Sequence, residues 1–408
     1  MAAQLFNLNI ADPSSVKELD SYDDRNFFMR GSLMGGKKEM GVSGCKEYVL
    51  KIANHMDSNH ECLIEVQGDV MVFLQARDYN CSTPVPSIFK TTFVKCKIPT
   101  AAQPDGVSIV TESVALDTDN DALKTDSVAL ETDCVALETD SGSVVISNNR
   151  SFDTLGSVNN AGNLEDGIEI YDGKEYSEEE YFVCAVRLLT FVPGKMLNEI
   201  PLNTELLFNA GIAVGRLDRD LKDFECPRLD RPGFLWDLSG VGDSVEQLLE
   251  AVNDKRHKKM VREVCESFRK EVEPKLHLLP KQIIHGDASY GNIVVTPEKE
   301  IGFIDFGDLN YSCRIFELAT SLMFILNVED DLSCGRTRMA GYFFAGYHSV
   351  NPLSDEEMDL LHVLVASRFC QSLVFGAYTS KHNDNNGDPS NEYILETARM
   401  VGRILKHF

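Results

Sequence analysis

The sequence is poor in basic residues and lacks any uncharged apolar run long enough to cross a membrane. Its 408 residues include 64 acidic and 39 basic side chains, for a formal net charge of -25. Because a chain this acidic repels phosphate polyanions, we expect neither nucleic acid nor an anionic membrane as a partner. The first residues also lack a basic segment followed by an apolar one, so we expect no signal peptide.

The cysteines lack the spacing of a disulfide framework or a zinc site. There are 11 of them, an odd number, and none is part of a C-x-x-C pair. Single cysteines scattered in this way are typical of reduced thiols. We therefore expect a cytoplasmic protein without structural disulfides or zinc.

One acidic segment, at about residues 105–180, lacks the apolar periodicity of a folded element. It holds nineteen acidic and three basic residues. It contains four tandem units of seven residues: Ser113–Asp119, Asn120–Asp126, Ser127–Asp133 and Cys134–Asp140. Their apolar residues are adjacent, whereas a coiled coil needs them spaced along the helix. We interpret the segment as a solvated, disordered insertion.

The chain on either side of this insertion has the patterns of a folded α+β protein. Residues 47–53 and 181–192 have the pattern of strands, and Pro193 with Gly194 then marks a hinge. Ser58 and Glu61 form a capping-box pattern, which predicts a helix from Ser58 to Ala76. Helical spacing is also present at Glu205–Phe224, Ser244–Val252, Arg314–Leu326, Glu356–Ser380 and Glu392–Lys406.

These patterns predict two lobes with a cleft between them. The expected N-terminal lobe, residues 1–192, is rich in strands, binds the nucleotide and carries the insertion. The expected C-terminal lobe, residues 193–408, is helical and carries the catalytic and substrate-binding residues.

The chemistry is concentrated between Ile283 and Asp308, where acidic and amide side chains interrupt apolar strands. Asp287 follows the first strand, Asn292 precedes the second, and Asp305 ends the third. If these strand ends lie side by side, Asp305 and Asn292 can hold Mg²⁺, which prefers oxygen ligands. Asp287 can then be the base that accepts a proton from an attacking hydroxyl. The expected chemistry is phosphoryl transfer.

A lysine near the end of a first-lobe strand supplies the positive charge that this chemistry needs. Lys51 can pair with nucleotide phosphates if a glutamate on the next helix orients it. Glu61 and Glu65 are both available, and Glu65 is favoured because Glu61 would be used in the helix cap. The alternative for Lys51 is a solvated surface residue.

Two residues beside the expected base have other roles. The imidazole of His285 is expected to fix the loop backbone by hydrogen bonding, since Asp287 already serves as the base. Asp308 can bind a second metal or brace the loop, and bracing is the preferred interpretation.

The motifs HGDASYGN and IDFGD resemble those of the aminoglycoside phosphotransferase and choline kinase superfamily. Within it, the chain is similar to the hydroxylysine kinase family at SYDDRNF, EYVLKIAN, LIEVQ, VRLLTFVPGK, GRLDRDLKDF, FLWDL, RIFELA and NEYIL. The resemblance implies a protein-kinase-like fold and a role in lysine degradation. It implies transfer of the γ-phosphoryl group of GTP, with ATP as the alternative donor, to the hydroxyl of 5-hydroxy-L-lysine.

The resemblance repeats the roles given above for the base, the magnesium ligands and the phosphate-binding lysine. It adds a loop over the nucleotide that includes Ser21, Asp24 and Asn26. The chain departs from the pattern at the acidic repeats, and Gly35-Gly36 is not part of a glycine-rich phosphate loop.

Recognition of an amino acid with a second amine needs acidic groups for the ammonium groups and a cation for the carboxylate. Trp236, Asp237 and Arg368 are the candidates. The alternative for Arg368 is an ordinary ion pair within the protein.

Two other functions stay open. A kinase of the same fold could act on homoserine, choline or an amino sugar, since only the acceptor pocket separates these substrates. A pseudokinase scaffold could recruit a basic partner through the acidic insertion, although the lysine, base and metal ligands are all present. The expected partner is a small-molecule amino acid, and the sequence indicates no oligomeric state.

Overall fold

The computed structural model of the chain describes residues 1–19, 21, 24–34, 45–99, 109–112, 167–170, 181–226, 229, 231, 233–327 and 335–382. The chain divides into two compact units. The first consists of residues 1–64 and 84–189, and the second of residues 65–83 and 190–408.

The described strands and helices are numbered in chain order. The strands are β1 (Leu8–Ile10), β2 (Lys17–Leu19), β3 (Arg25–Leu33), β4 (Lys46–Ile52), β5 (Asn80–Cys81), β6 (Pro84–Val85), β7 (Val94–Pro99), β8 (Ile109–Glu112), β9 (Gly167–Ile170), β10 (Tyr181–Thr190), β11 (Lys195–Met196), β12 (Lys281–Ile284), β13 (Ile293–Val295), β14 (Ile301–Phe303) and β15 (Asn310–Cys313). The helices are α1 (Ala2–Phe6), α2 (His55–Ser58), α3 (Glu61–Gln75), α4 (Thr204–Leu221), α5 (Val241–Leu248), α6 (Lys255–Ser267), α7 (Ile315–Leu326), α8 (Arg336–Val350) and α9 (Asp355–His382).

A sheet forms the body of the first unit. Its described strands follow the order β1-β3-β4-β10-β7-β8-β9, with β2 paired to β3 and β6 paired to β10. Buried apolar side chains of these strands form the core, among them Leu8, Tyr48, Leu50 and Leu188. The strands predicted at residues 47–53 and 181–192 are confirmed as β4 and β10.

Two parts of the predicted insertion belong to this sheet. β8 pairs with β7, and β9 pairs with β8, both in antiparallel register. The prediction of disorder is therefore wrong for Ile109–Glu112 and Gly167–Ile170, whose backbone groups take part in strand pairing. The four tandem repeats lie outside the described residues.

The predicted helix start at Ser58 is also wrong. Ser58 ends the short helix α2, and α3 begins at Glu61. The Ser58 hydroxyl donates a hydrogen bond to the Asn54 carbonyl at 2.6 Å and accepts one from the Ala185 amide at 2.9 Å. This oxygen therefore ties the segment after β4 to β10, and it does not cap α3.

Helices form most of the second unit, and two small sheets lie among them. One has the order β11-β13-β14-β5, and in the other β12 pairs with β15. Ile293 lies opposite Phe303 in the first of these, and Ile284 lies opposite Asn310 in the second. The chain thus passes between the two sheets twice, through residues 285–292 and 304–309. These two site loops run beside each other in opposite directions.

The long helix α9 is apolar enough in composition to span a membrane, but it lies inside the second unit. Of its most apolar stretch, 78% is buried. Helices α5, α6 and α7 pack against it, and Phe369 and Val374 have no exposed surface. This burial fits a core helix.

The helices predicted at residues 205–224, 244–252, 314–326 and 356–380 are confirmed as α4, α5 with the turn after it, α7 and α9. The helix predicted at Glu392–Lys406 lies outside the described residues.

Helices α4 and α8 approach each other closely because glycines lie at their contact. A Cβ atom on Gly211 of α4 would overlap the carbonyl oxygen of Phe343 in α8. A Cβ atom on Gly346 of α8 would likewise overlap the carbonyl oxygen of Phe208. The backbones are therefore packed too tightly for any side chain at these positions.

We expect Gly211→Ala to destabilise the protein by about 1–3 kcal/mol, because the added methyl group forces the two helices apart. Gly341→Ala is the matched control, since Gly341 is exposed on α8 and a Cβ there meets nothing within 4 Å. Removing a glycine from a helix should leave that variant as stable as the wild type or about 0.5–1 kcal/mol more stable. Denaturant unfolding of both variants checks this, and equal effects would contradict the close packing.

A buried acid also lies between α4 and α8. Asp218 and Tyr347 have no exposed surface, and the Tyr347 hydroxyl donates a hydrogen bond to Asp218 Oδ2 at 2.6 Å. Burial raises the pKa of Asp218 well above its ordinary value, and the charge of Glu317 raises it further. The Tyr347 hydrogen bond and the charge of Arg314 act in the opposite direction. At a pH between the unfolded and the folded pKa of Asp218, the folded protein therefore binds a proton here that the unfolded chain releases.

We expect the free energy of unfolding of Asp218→Asn to increase relative to that of the wild type as the pH rises from about 5 to about 8. A carboxyl whose pKa is raised by folding stabilises the protein fully only below its unfolded pKa, about 3.9, and this stability is lost as the pH rises toward the folded pKa. Asparagine does not titrate but keeps an acceptor for Tyr347. Denaturant unfolding over this pH range measures the difference. A pH-independent difference would contradict the raised pKa.

Candidate active site

The first of the two site loops is held at its start by His285, which is fully buried. Its Nδ1 accepts a hydrogen bond from the Asp287 amide at 3.3 Å. Its Nε2 lies 3.1 Å from the Ile304 carbonyl oxygen and, in the tautomer that leaves Nδ1 as acceptor, donates to it. The ring thus joins the two loops, which fits the structural role predicted for His285.

A glycine lets the two loops touch. Gly286 has a φ of +83°, and a Cβ atom at this position would overlap the Asp308 carbonyl oxygen. Both the left-handed backbone and the close approach require glycine. The contact sets Asp308 beside Asp287, and the two carboxylates influence each other electrostatically.

A glutamate from α7 fixes the backbone on both sides of Asp287. Glu317 has no exposed surface. Its Oε2 accepts a hydrogen bond from the Gly286 amide at 2.7 Å, and its Oε1 accepts one from the Ala288 amide at 2.9 Å. The Ser321 hydroxyl, one turn further along α7, donates to the Ala288 carbonyl at 2.8 Å. Sequence reasoning missed Glu317, since nothing in its local pattern separates it from an ordinary helix residue.

The carboxylate of Asp287 is oriented by Asn292. Asn292 Nδ2 donates hydrogen bonds to Asp287 Oδ2 at 2.6 Å and to the Asp287 carbonyl at 3.0 Å. Asp287 Oδ1 is buried and has no hydrogen-bond partner among the described residues. A carboxylate that is held through one oxygen and has an acceptor left on the other can receive a hydrogen bond from a hydroxyl.

Asp305 follows β14 in an unusual backbone conformation. Its φ is +58°, which is strained for any residue with a Cβ and costs about 1 kcal/mol or more. Its side chain is exposed, and Oδ1 accepts a hydrogen bond from the Gly307 amide at 3.3 Å. Such strained positions occur often at functional sites.

The donor atoms at this site fit Mg²⁺ better than a metal with an all-protein ligand set. Within the described ranges, no three His, Cys, Asp or Glu side chains converge on a metal-sized site. Mg²⁺ commonly takes only one or two protein ligands and completes its shell with water and phosphate. The Asp305 carboxylate and the amide oxygen of Asn292 would be a pair of this kind, because the hydrogen bonds of Asn292 use its nitrogen.

Burial and like charges raise the proton affinity of the site carboxyls. Burial raises the pKa of Asp287 well above its ordinary value, and the charges of Asp308 and Asp305 raise it further. Burial also raises the pKa of Asp308. The guanidinium of Arg368 opposes both shifts. The site therefore favours an additional cation.

In the first unit, Lys51 and two of the predicted nucleotide-loop residues lie together where β3 meets β4. Lys51 is 4% exposed, and its Nζ lies 2.7 Å from Asp24 Oδ2. Asn26 pairs with Lys51 in the strand register, and its Oδ1 is buried without a hydrogen-bond partner in the described part of the chain. The alternative of a solvated Lys51 is therefore wrong.

The structure changes the limits of the predicted nucleotide loop. Asn26 lies within β3, which begins at Arg25, so the loop ends at Asp24. Ser21 is partly buried, and the described chain shows Asp24 as an ion-pair partner of Lys51. Glu65, the partner predicted for Lys51, lies in α3 and is assigned to the second unit. Its pairing with Lys51 stays a prediction.

Among the predicted substrate residues, Arg368 is buried against Trp236. Its Nη1 donates hydrogen bonds to the Trp236 carbonyl at 3.1 Å and to Gln371 Oε1 at 3.2 Å. Its guanidinium lies 4.6 Å from the centre of the Trp236 ring, and its Nε is buried with no hydrogen-bond partner among the described residues. These contacts are not those of an ordinary ion pair.

Asp237 has a structural task in addition to any role in binding. Its carboxylate accepts hydrogen bonds from the Ser239 hydroxyl at 2.5 Å and from the Ser312 hydroxyl at 2.8 Å. It therefore caps the turn after it and attaches that turn to β15.

The chain is similar to known phosphotransferases and kinases. The family described as "Phosphotransferase enzyme family" matches residues 165–353. The hydroxylysine kinase of Bos taurus is 28% identical over 418 residues, which cover 100% of this chain and 86% of that protein. The hydroxylysine kinase of Xenopus laevis is 29% identical over 407 residues, which cover 96% of this chain and 84% of that protein.

Solved structures show the same fold. The amicoumacin kinase hAmiN, in complex with AMP-PNP and Ca²⁺, has a TM-score of 0.57 at 16% identity, covering 100% of this chain and 91% of that one. A microcompartment-associated aminopropanol kinase has a TM-score of 0.52 at 14% identity, covering 98% of this chain and 93% of that one. The predicted α+β, protein-kinase-like fold is confirmed.

We expect Glu317→Gln to loosen the loop around Asp287. One of the two backbone amides would then face an amide NH₂ group instead of an acceptor, at a cost of about 1.5–3 kcal/mol for a hydrogen bond to a charged group. Amide hydrogen exchange at Gly286 and Ala288 should become faster, and phosphoryl transfer should fall by about ten- to a hundred-fold.

Glu298→Gln, at an exposed turn, is the matched control and should change neither quantity. If Glu317→Gln kept wild-type exchange at both amides, Glu317 would not be what holds the loop.

Proposed function

We infer that the chain is a phosphotransferase that acts on a hydroxyl group, because its residues 165–353 match a phosphotransferase family model and because it is similar to hydroxylysine kinases along nearly its whole length. From this premise we propose that it transfers the γ-phosphoryl group of GTP to the hydroxyl of 5-hydroxy-L-lysine. The bond between the γ-phosphorus and the bridging oxygen would break, and the products would be 5-phosphohydroxylysine and GDP. We propose a cytoplasmic location for this reaction, in agreement with the unpaired cysteines.

The observation that carries the proposal is the arrangement of Asp287. Its backbone is fixed by Glu317, one carboxylate oxygen is fixed by Asn292, and the other has no hydrogen-bond partner among the described residues. A hydroxyl that donates to this oxygen would be oriented for attack on a phosphoryl group. The raised pKa of Asp287 makes it a better proton acceptor as the hydroxyl loses its proton.

The remaining candidates support nucleotide and metal binding. Asn292 and Asp305 would hold Mg²⁺, which when bound neutralises charge that develops on the transferring phosphoryl group. Lys51, oriented by Asp24, would neutralise nucleotide phosphates from the first unit. Asn26 pairs with Lys51 in the strand register, and its buried Oδ1, which has no hydrogen-bond partner among the described residues, would be a further polar contact.

The residues of this chain therefore divide the work between positioning and proton transfer. Glu317 and His285 fix the backbone of the loop, and Asn292 sets the angle of the Asp287 carboxylate. Asp287 orients the hydroxyl and receives its proton. A positioned base of this kind contributes about 10²- to 10⁴-fold to a rate.

Phosphate transfer from GTP and from ATP to 5-hydroxy-L-lysine, homoserine, choline and ethanolamine, measured in parallel with Mg²⁺, tests the proposal. We expect turnover with hydroxylysine and GTP. Asp287→Asn should lower this turnover by about 10²- to 10⁴-fold and leave nucleotide binding largely intact. Asp305→Ala should weaken metal-dependent nucleotide binding as well.

Transfer to another acceptor alone would leave the enzyme class in place and overturn the proposed substrate. Full turnover by Asp287→Asn would overturn the assignment of the base. Loss of transfer and of nucleotide hydrolysis in the wild type would favour the pseudokinase alternative.

A further inference from the structure

A small cavity in the second unit adjoins the loop that carries Asp287. Gly286 and Asp308 contribute to its wall from the two site loops. Trp236, Phe234 and Phe316 contribute aromatic surface. The cavity thus combines the carboxylates of Asp308 and Asp237 with aromatic surface. It lies beside the loop that carries the proposed base, where an acceptor substrate would have to lie.

Asp308 is the acidic group of this cavity whose carboxylate receives no hydrogen bond from the described residues. No hydrogen bond to its carboxylate is present among the described residues, whereas the carboxylate of Asp237, on the same cavity, accepts hydrogen bonds from two serine hydroxyls. Carboxylates that lose water without gaining a donor cost free energy. The preference for bracing, predicted for Asp308 from the sequence, has no side-chain contact to support it in the described chain.

Two guanidinium groups act on Asp308 through their charge, and their hydrogen bonds described below go to backbone and neutral groups. Arg231 Nη1 donates to the Gly307 and Leu309 carbonyls, both at 3.1 Å, on either side of Asp308. Arg368 Nη1 donates to the Trp236 carbonyl and to Gln371. They act on Asp308 through charge and not through a described hydrogen bond. A donor supplied by a ligand would complete the carboxylate.

The charges around the cavity favour a cationic ligand. Asp308 lies within the electrostatic reach of Asp287 and Asp305, and Asp287 is also influenced by Glu317. The charges of Arg368, Arg231 and His285 oppose this negative charge at Asp308. Apolar walls strengthen the attraction between a carboxylate and a bound cation because they exclude water.

The contact between the two site loops indicates where a bound cation would lie relative to the acceptor hydroxyl. Gly286 is in contact with the Asp308 backbone, so Asp287 and Asp308 lie side by side on touching loops. If Asp287 holds the acceptor hydroxyl, Asp308 faces the group on the neighbouring carbon. In 5-hydroxylysine the carbon next to the hydroxyl-bearing carbon carries the side-chain ammonium.

We propose that Asp308 binds the ammonium group adjacent to the acceptor hydroxyl, so that the site selects 1,2-amino alcohols. This inference rests on the proposed function for the role of Asp287 and deepens it by assigning the acceptor class. The Asp287 carboxylate accepts a hydrogen bond from the hydroxyl, and the Asp308 carboxylate accepts a charge-assisted hydrogen bond from the ammonium group. A hydroxyl compound without the adjacent amine would leave the Asp308 carboxylate without a hydrogen-bond donor. The site should therefore discriminate strongly against such a compound.

The test compares 5-hydroxylysine with 2-amino-5-hydroxyhexanoic acid, which has hydrogen in place of the side-chain ammonium. For the wild type we expect kcat/KM to be at least about ten- to a hundred-fold lower with the analogue, the loss typical of a charge-assisted hydrogen bond. Asp308→Asn should lower kcat/KM for hydroxylysine by a similar factor, mainly through KM, and leave the value for the analogue little changed. The ratio of kcat/KM for hydroxylysine to kcat/KM for the analogue should therefore fall toward one in this variant.

Asp237→Asn is the matched control, since Asp237 lines the same cavity but is already hydrogen-bonded. It should affect both acceptors equally and keep the selectivity. A Mg²⁺ titration accompanies each assay, because a second metal site at Asp308 would instead raise the Mg²⁺ requirement for both acceptors. Thermal unfolding shows whether each variant is folded. If Asp308→Asn does not fold, equal use of the two acceptors by the wild type would still overturn the inference.

Equal use of the two acceptors by the wild type, equal losses in Asp308→Asn, or a raised Mg²⁺ requirement would each overturn the role of Asp308. Ethanolamine and 1-amino-2-propanol separate this result from a failure of the proposed function. If they are phosphorylated and hydroxylysine is not, the amino-alcohol class holds and the proposed substrate fails. If no amino alcohol is an acceptor, the inference fails.

Discussion

The two hydrogen bonds that Glu317 accepts from the loop backbone are the constraint on which the site depends. They fix the amides of Gly286 and Ala288, on either side of Asp287, to a buried carboxylate in the core helix α7. The two hydrogen bonds therefore attach the loop to the core helix α7, although the loop lies between two short strands. Through the contact of Gly286 with Asp308, the same two bonds also set the position of the second site loop.

This arrangement concentrates negative charge, and the fold balances it only in part. Asp218, Asp287, Asp308 and Glu317 influence one another inside the second unit. Arg314 is paired with Glu357 at 2.7 Å, and Arg368 is directed toward the Trp236 segment. The pKa values of the site carboxyls are therefore raised. Binding of a cation would lower the electrostatic free energy of these carboxylates. A magnesium ion, a substrate ammonium or both would supply that charge.

Sequence patterns predicted the parts of the fold that depend on local periodicity. The strands around the site loops, β4, β10 and the helices α4, α5, α7 and α9 follow directly from apolar spacing, whereas α6 and α8 have no counterpart among the predicted helices. The motif residues Asp287, Asn292 and Asp305 are brought to neighbouring loops because β12 pairs with β15 and β13 with β14. The sequence predicts that these strand ends lie side by side, but it does not predict which strands pair.

The features that escaped prediction depend on contacts between distant segments. Glu317 lies 30 residues beyond Asp287 and resembles any helix residue in sequence. Ser58 has a capping pattern, but its hydroxyl bonds to Asn54 and to β10 instead. Asp24 was assigned to a nucleotide loop without any signal that it pairs with Lys51. In each case a tertiary hydrogen bond or ion pair decides the role, and local spacing carries no record of it.

The most direct test of the central claim is to locate the transferred phosphate by phosphorus–proton correlation NMR on the product formed from GTP and 5-hydroxy-L-lysine. The structure predicts a single phosphoester, with phosphorus coupled to the proton on the carbon that carried the hydroxyl. Phosphorus on an amine or on the carboxylate, or release of inorganic phosphate alone, would contradict a site in which Asp287 directs that hydroxyl to the phosphoryl group.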